Sequence, residues 1–470
     1  MKNKKILLVL PYGMCVRQIL FNKVLWKYFN DTYQIDILTP IKIEASSLAG
    51  VSNINLLDTD SKLTKLYKEI SAKSVYLWRL SGMVEFFLNN DLGENFSTRW
   101  RWFNEYSKNI LIYGALKNYP FIYKFFIWIV SRLSYLYSSK ILSNDEYKFV
   151  LITHVTDIEC TLIALGANKK GIPLVTVTLG LDNYRHGPLL YVPDLMLLWG
   201  DEQVYEFINY HMSHNEELKR TEYETIGSLI HDLYIERSDK ISQSSLKNKF
   251  SIDVNIPFIL IPAMLEEMLP NQKALCEIVI KFFELHSLKI KIVVRMLPKT
   301  DLEMWHKFKD ENPDYIILQE PSSAVFDKRN ESIPFNEEQS YDDIDEFVYT
   351  VKNALLIINL YPTTLILDAM LLGKDSVVAM FDWGSETDVG THPQQKFYLA
   401  KQITHPHWKH YNFLYTREEL YKFMYSYLVK GENTIQLNSM ALFDKVCGKS
   451  LEGQSGNLAS NAIDSFIRDK

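Results

Sequence analysis

Short, continuously apolar runs recur along this chain, each separated from the next by a segment of helical pattern, and the series occurs twice. In the first half, strands are expected at Lys5–Leu10, Gln34–Leu38, Phe149–Thr153, Leu174–Thr178 and Leu195–Leu198, with a short one near Tyr223–Ile226. Helical patterns lie between them at Val16–Phe29 and at Asp157–Lys169, the latter closed by Gly171. A strand that is apolar on both faces must be covered on both, so this alternation predicts a parallel sheet sandwiched by helices. The stretch 236–249 is polar and rich in Ser and Lys, which marks an interdomain linker. The rhythm then restarts, with strands expected at Phe258–Ile261, Lys289–Arg295, Tyr315–Leu318, Ala354–Ile358 and Ser376–Met380.

The fold class that follows is α/β, with two tandem Rossmann-like doubly wound domains and a ligand cleft at the carboxyl ends of their strands. The expected boundaries are 1–235 for the first domain and 250–438 for the second. The segment 439–470 is expected to be helical and to pack back across the domains. A length of 470 residues agrees, because one ordinary core does not grow that large.

Composition narrows the function. Apolar residues make up 47% and charged residues 23%, as in a globular protein, and the net charge of −6 argues against a nucleic-acid binder. Cys15, Cys160, Cys276 and Cys447 are scattered with no CxxC pair, which fits a reducing compartment and not a Cys-based zinc site. The apolar part of the amino terminus, Ile6 to Leu10, stops at Pro11-Tyr12-Gly13 and reads as a first strand, not a secretory signal. No stretch approaches the roughly 18 to 20 apolar residues of a membrane span, and a cytoplasmic location is expected. One insert breaks the rhythm. Residues 98–140 carry seven basic residues and one acid among many aromatics. Such a segment suits peripheral contact with the inner face of a membrane, and it suits equally a helical hairpin whose basic residues reach solvent.

The segment Leu355 to Val378 carries the clearest site signal. An apolar strand ends at Asn359, Tyr361-Pro362 turns the chain, Thr363 and Thr364 follow, and Asp368 lies one turn into the next helix. The free N–H groups and positive end of a helix attract an anion, and Thr hydroxyls add donors. An acid on the same face is placed for a ribose hydroxyl. The plainer alternative is a βαβ unit with a Thr cap.

Several short segments, in order, resemble a known group. Arg185-His186-Gly187-Pro188-Leu189 is similar to an HG(T)P-L segment, and Pro193-Asp194 through Trp199-Gly200 to a strand motif ending in W-G. Thr225 through Asp232 resembles a G-S/Y-P-x-x-D turn, and Arg295 through Pro298-Lys299 resembles R/K-x-H-P-K with Leu297 in place of His. Tyr361 through Asp368 resembles D-Y-S-S-x-x-x-D, with Thr for Ser and no preceding acid. These are motifs of GT-B glycosyltransferases in the group of CDP-glycerol glycerophosphotransferases and capsule Kdo transferases. The resemblance implies a nucleotide-sugar donor, CMP-, CDP- or UDP-linked, held by the second domain. It implies a surface-polysaccharide or lipid-linked glycan acceptor on the first, and no cofactor.

On that basis Arg295, Lys299, Tyr361, Pro362, Thr363, Thr364 and Asp368 are the candidate donor residues. His186 is the candidate general base, with Asp182 to orient its imidazole. A second candidate group is Thr153-His154-Val155-Thr156-Asp157, also at a strand end, where Asp157 doubles as a helix cap. No metal is expected. Asp343 and Asp345 spell DxD, but in a helix expected to begin at Ser340 they fall in the acidic first turn. His405, His407 and His410 have no carboxylate or Cys beside them. The turn after the first strand lacks GxGxxG, which argues against an NAD-binding domain. The alternatives to sugar transfer are transfer of a polyol phosphate, nucleotide-sugar 2-epimerisation and non-enzymatic glycan binding.

Overall fold

The computed structural model describes residues 4–39, 42–43, 51–56, 120–139, 141–142, 147–155, 157–178, 180–181, 189–212, 216–241, 256–264, 269, 271–296, 300–320, 332–333, 337–381, 383, 408, 411–432 and 436–469. The chain divides into two compact units. Unit 1 comprises Met1–Asp232, Val325–Asn336 and Glu452–Lys470, and unit 2 comprises Leu233–Ala324 and Glu337–Leu451.

The strands of unit 1 are β1 (Lys5–Val9), β2 (Gln34–Thr39), β3 (Lys42–Ile43), β4 (Val51–Leu56), β5 (Tyr147–Ile152), β6 (Leu174–Val177), β7 (Leu195–Leu198) and β8 (Glu222–Thr225). Among the described residues they form a seven-stranded sheet in the order β4-β2-β1-β5-β6-β7-β8, parallel at every pairing. β3 stands apart and pairs with the short segment Ser332–Ile333. Its helices are α1 (Gly13–Leu20), α2 (Lys23–Thr32), α3 (Pro120–Ser138), α4 (Ile158–Lys170) and α5 (Asp201–Glu206). The single helix expected over Val16–Phe29 is two, because Asn22 leaves the helical path and caps α2 by accepting the Leu25 N–H at 3.1 Å. α4 follows expectation closely. Asp157 caps its start, and Gly171 closes it at φ +69°, a left-handed conformation suited to glycine.

The strands of unit 2 are β9 (Phe258–Pro262), β10 (Lys291–Arg295), β11 (Ile316–Gln319), β13 (Leu356–Asn359), β14 (Ser376–Ala379) and β15 (Phe413–Leu414), where β12 is the Ser332–Ile333 segment of unit 1. Their order is β11-β10-β9-β13-β14-β15, again parallel at every pairing. Renumbered within the sheet this is 3-2-1-4-5-6, the doubly wound order that binds ligands where the winding reverses. That switch point lies between β9 and β13 in unit 2 and between β1 and β5 in unit 1. Burial is nearly complete along β9, β10, β11, β13 and β14, as the continuously apolar runs require.

Two segments depart from expectation. The polar run read as linker begins as helix, α6 (Leu229–Lys240), and the unit boundary falls within it after Asp232. At the end of the chain two helices form, Gln436–Cys447 in unit 2 and Ser455–Asp469 in unit 1. Asp232 accounts for the docking of the latter. Its carboxylate accepts the N–H groups of Ser455 (3.0 Å) and Gly456 (2.7 Å) at the helix start, and the Asn22 side chain (3.0 Å). An anion at a helix N-terminus satisfies orphan donors and meets the positive end of the dipole.

Candidate functional site

The unit 2 switch point is built from the ends of β9 and β13. The Tyr361 hydroxyl donates to the Met264 sulfur at 3.1 Å, spanning from the end of β13 to that of β9. Gln272 fixes Met264 in turn, accepting its N–H at 2.6 Å and donating to its carbonyl at 2.8 Å. Pro362 is buried beside Tyr361, and Asp368 is buried in the first turn of the helix Leu365–Leu371, at 8% exposure.

The Thr pair behaves differently from expectation. Asn359 donates to the Val377 carbonyl (3.3 Å), and the Thr363 hydroxyl lies 3.5 Å from its amide oxygen. The same hydroxyl accepts the Leu365 N–H at 3.2 Å. The Ile366 N–H goes to the Thr363 carbonyl and the Leu367 N–H to that of Thr364. The first-turn donors expected to face an anion are therefore turned inward by the tight turn. Thr364, half-buried, makes no side-chain cap.

Arg295 sits at the end of β10, but its guanidinium is committed. It donates to Gln319 at 2.9 Å and to Asp343 at 3.2 Å, and it lies 5.2 Å from the centre of the Phe347 ring. Asp343 and Asp345 belong to the helix Glu337–Asn353, which starts earlier than Ser340 and places both acids beyond its first turn. Asp345 holds Arg237 in a two-point pair at 2.5 and 2.6 Å. The DxD pair is thus neutralised by arginines. Among the described residues no three His, Cys, Asp or Glu side chains are grouped to hold a metal. Lys299, His405, His407 and His410 lie outside the described residues.

In unit 1, Asp182 and His186 also lie outside the described residues, but the anchors on either side are defined. Gln203 grips the chain before them. Its amide donates to the carbonyls of Gly180 (3.1 Å) and Leu181 (3.3 Å) and accepts the Trp199 N–H (2.7 Å). After them, Asn168 exchanges two 2.8 Å bonds with the backbone of Val192, and Tyr191 donates to the Val155 carbonyl at 2.8 Å. Tyr191 and Val192 are therefore stitched to Val155, in the turn that carries His154 and Asp157, and to α4.

That turn lies at the unit 1 switch point. Asp157 uses both oxygens: one accepts the Cys160 N–H (3.0 Å) and the other the Tyr12 hydroxyl (2.7 Å). The Tyr12 ring meets the His154 ring edge-on, with centroids 5.3 Å apart. Burial, and then Asp157, push the Tyr12 phenol well above its ordinary range. Tyr12 was not singled out from sequence. Its signal was its place just beyond the first strand, and that became informative only once β1 and β5 proved to be neighbours.

No protein-family model matches this sequence, and no curated protein matches it. Solved structures match its fold. MnaA of S. aureus in a UDP co-structure has a TM-score of 0.53 at 10% identity, covering 99% of this chain and 97% of that one. A Listeria monocytogenes protein assigned as a UDP-N-acetylglucosamine 2-epimerase has a TM-score of 0.54 at 10% identity, with coverage of 99% and 97%. A glycosyltransferase from Rickettsia africae has a TM-score of 0.47 at 12% identity, with coverage of 99% and 98%. At these identities the likeness is one of fold: the chain has a two-domain α/β architecture of GT-B type.

Proposed function

We propose that this protein is an enzyme acting on a nucleotide-activated sugar, and that it transfers the sugar to a glycan or lipid-linked acceptor. The observation that carries the reading is the unit 2 switch point, where Tyr361 and Met264 bridge the ends of β13 and β9 and the half-buried Thr364 stands at the start of the next helix. Open α/β sheets take ligands at this place. Tyr361 and Pro362 form its apolar wall, Thr364 is the phosphate side, and Asp368 takes the ribose. Arg295 serves this site by fixing the end of β10. Among CMP-, CDP- and UDP-linked donors, the likeness to a protein crystallised with UDP favours uridine.

A second reading is 2-epimerisation of the nucleotide sugar, which the fold likeness to the Listeria protein favours. Product analysis separates the two. With donor and acceptor glycan present, transfer releases free nucleotide and lengthens the acceptor, whereas epimerisation converts donor alone into an isomer. Neither product across a panel of UDP-, CDP- and CMP-sugars would sink both readings.

The acceptor class has its own support. The outer side of α3 exposes Trp128 (61%), Arg132 and Leu136 at successive turns, and the helix contains no acid. No helix among the described residues is long and apolar enough to cross a membrane. A basic aromatic stripe of this kind fits the surface of an anionic bilayer, where a lipid-linked acceptor resides. Sedimentation with phosphatidylglycerol vesicles is expected to exceed that with phosphatidylcholine and to fall in Trp128→Ser; equal sedimentation would remove this support.

A further inference from the structure

We infer that unit 1 carries a saccharide-binding corner where the turns leaving β1 and β5 meet. The ring of Tyr12 is the platform for the apolar face of a neutral pyranose, and the Asp157 carboxylate accepts one of the sugar hydroxyls. The corner belongs to unit 1 alone, and it goes beyond the choice between transfer and epimerisation.

β1 and β5 run side by side with Val9 opposite Ile152, so the turns that follow them emerge at the same end of the sheet. That end, where the winding reverses, is where open α/β sheets take ligands. The Thr153 hydroxyl donates to the Val9 carbonyl at 2.8 Å and ties the two turns together. Tyr12, in the first turn, is 38% exposed although Pro11 and Gly13 on either side of it are buried. Met14, 44% exposed, adds apolar surface one residue beyond Gly13.

The ring is held in place before any ligand arrives. Its hydroxyl donates to Asp157 at 2.7 Å, and its edge meets the His154 ring with centroids 5.3 Å apart and planes at 63°. Asp157 is fixed in turn: its side chain accepts the Cys160 N–H at 3.0 Å, and its own N–H donates to the His154 carbonyl at 3.1 Å. A platform fixed in this way gives up little freedom on binding, which favours affinity. An aromatic face suits a pyranose, whose C–H face is apolar while its rim carries hydroxyls. Those hydroxyls need acceptors. Each Asp157 oxygen has accepted one hydrogen bond and retains a second lone-pair site. The same carboxylate repels an anionic ring, so the corner selects a neutral sugar.

Binding to the full chain tests this. Neutral oligosaccharides of glucose, galactose and N-acetylglucosamine are titrated beside sialyllactose, the anionic probe, and followed by saturation-transfer NMR. The titrations are run at pH 8, above the range in which an imidazole ordinarily carries charge. At least one neutral oligosaccharide is expected to bind, about tenfold or more tightly than sialyllactose. Tyr12→Leu removes the ring face and is expected to weaken the neutral sugar about tenfold or more. Tyr12→Phe keeps the face but loses its tether, for a loss of about two- to threefold. Asp157→Asn keeps a helix cap and loses the charge, and it should narrow the gap between neutral and anionic probes, which a merely structural role would not do. Nucleotide affinity is expected to stay unchanged in all three variants. If Tyr12→Leu does not fold, Tyr12→Phe and Asp157→Asn carry the test. The corner is overturned if no neutral oligosaccharide binds, or if the folded variants bind both probes as the parent does. A sugar held at Tyr12 that no nucleotide sugar lengthens removes the transfer reading and leaves the corner standing. Lengthening of an acceptor that is indifferent to the Tyr12 variants does the reverse.

Discussion

Replacing Arg295 with methionine is expected to destabilise unit 2 by about 3–5 kcal/mol and to leave nucleotide affinity nearly unchanged under conditions where the variant is folded. The side chains of Arg295 and Asp343 are 14% and 6% exposed and 3.2 Å apart, so the substitution strands a carboxylate in a nearly dry place. It also removes the donor to Gln319, whose own amide holds Thr350 at 2.6 Å. Pairing the change with Asp343→Leu should recover most of the loss, because an apolar pair often matches a buried ion pair in stability. Urea unfolding of the two single variants and the double variant measures this. A loss below about 1 kcal/mol, accompanied by loss of nucleotide binding, would return Arg295 to the phosphate role suggested by its motif.

Gly166→Val is the second large effect, expected to cost about 3 kcal/mol or more in unit 1. Even a methyl at position 166 would fall 1.8 Å from the Ser138 hydroxyl oxygen and 2.6 Å from its Cβ. This is where α3 packs on α4, with Ser134, Tyr137 and Ser138 of α3 buried. Tyr137 also reaches Glu159 near the start of α4, beside Asp157. Prising α3 away should therefore disturb the turn that carries His154 and Asp157 and weaken saccharide binding as well as stability. Gly166→Ala combined with Ser138→Gly should regain most of the loss. A fully stable Gly166→Val would show that the helices do not approach this closely.

The central strands of both sheets were legible because burial on two faces leaves no polar position to confuse the pattern. Leu195–Leu198 is identical in expectation and structure. Val51–Leu56 is not legible because its sequence, VSNINL, is interrupted by Ser52, Asn53 and Asn55 and shows neither a continuous apolar run nor a strict alternation. Phe413–Leu414 is too short to show a period. Asn22 is a cap in the middle of an apolar helical pattern, and nothing in the period announces the break.

The candidate site was legible in position more than in role. Tyr361 does stand at the switch point, as the strand-turn-helix pattern implied. The Thr363 hydroxyl, however, turns back onto the Leu365 N–H, a choice set by turn geometry that residue types do not encode. The partners of Arg295, Gln319 and Asp343, lie 24 and 48 residues away in sequence. Local pattern cannot reveal such a pairing. The Tyr12–Asp157 bond, 145 residues apart, depends in the same way on the strand order that makes β1 and β5 neighbours.

Calorimetric titration of the full chain with UDP, CDP and CMP tests the central proposal most directly. The expected result is one-to-one binding of at least one nucleotide, weakened by about five- to tenfold in Thr364→Val, as loss of one hydrogen bond of about 1 kcal/mol requires. If none of the three nucleotides binds, or if the Thr364 variant binds as the parent does, the nucleotide site is not where the unit 2 switch point puts it.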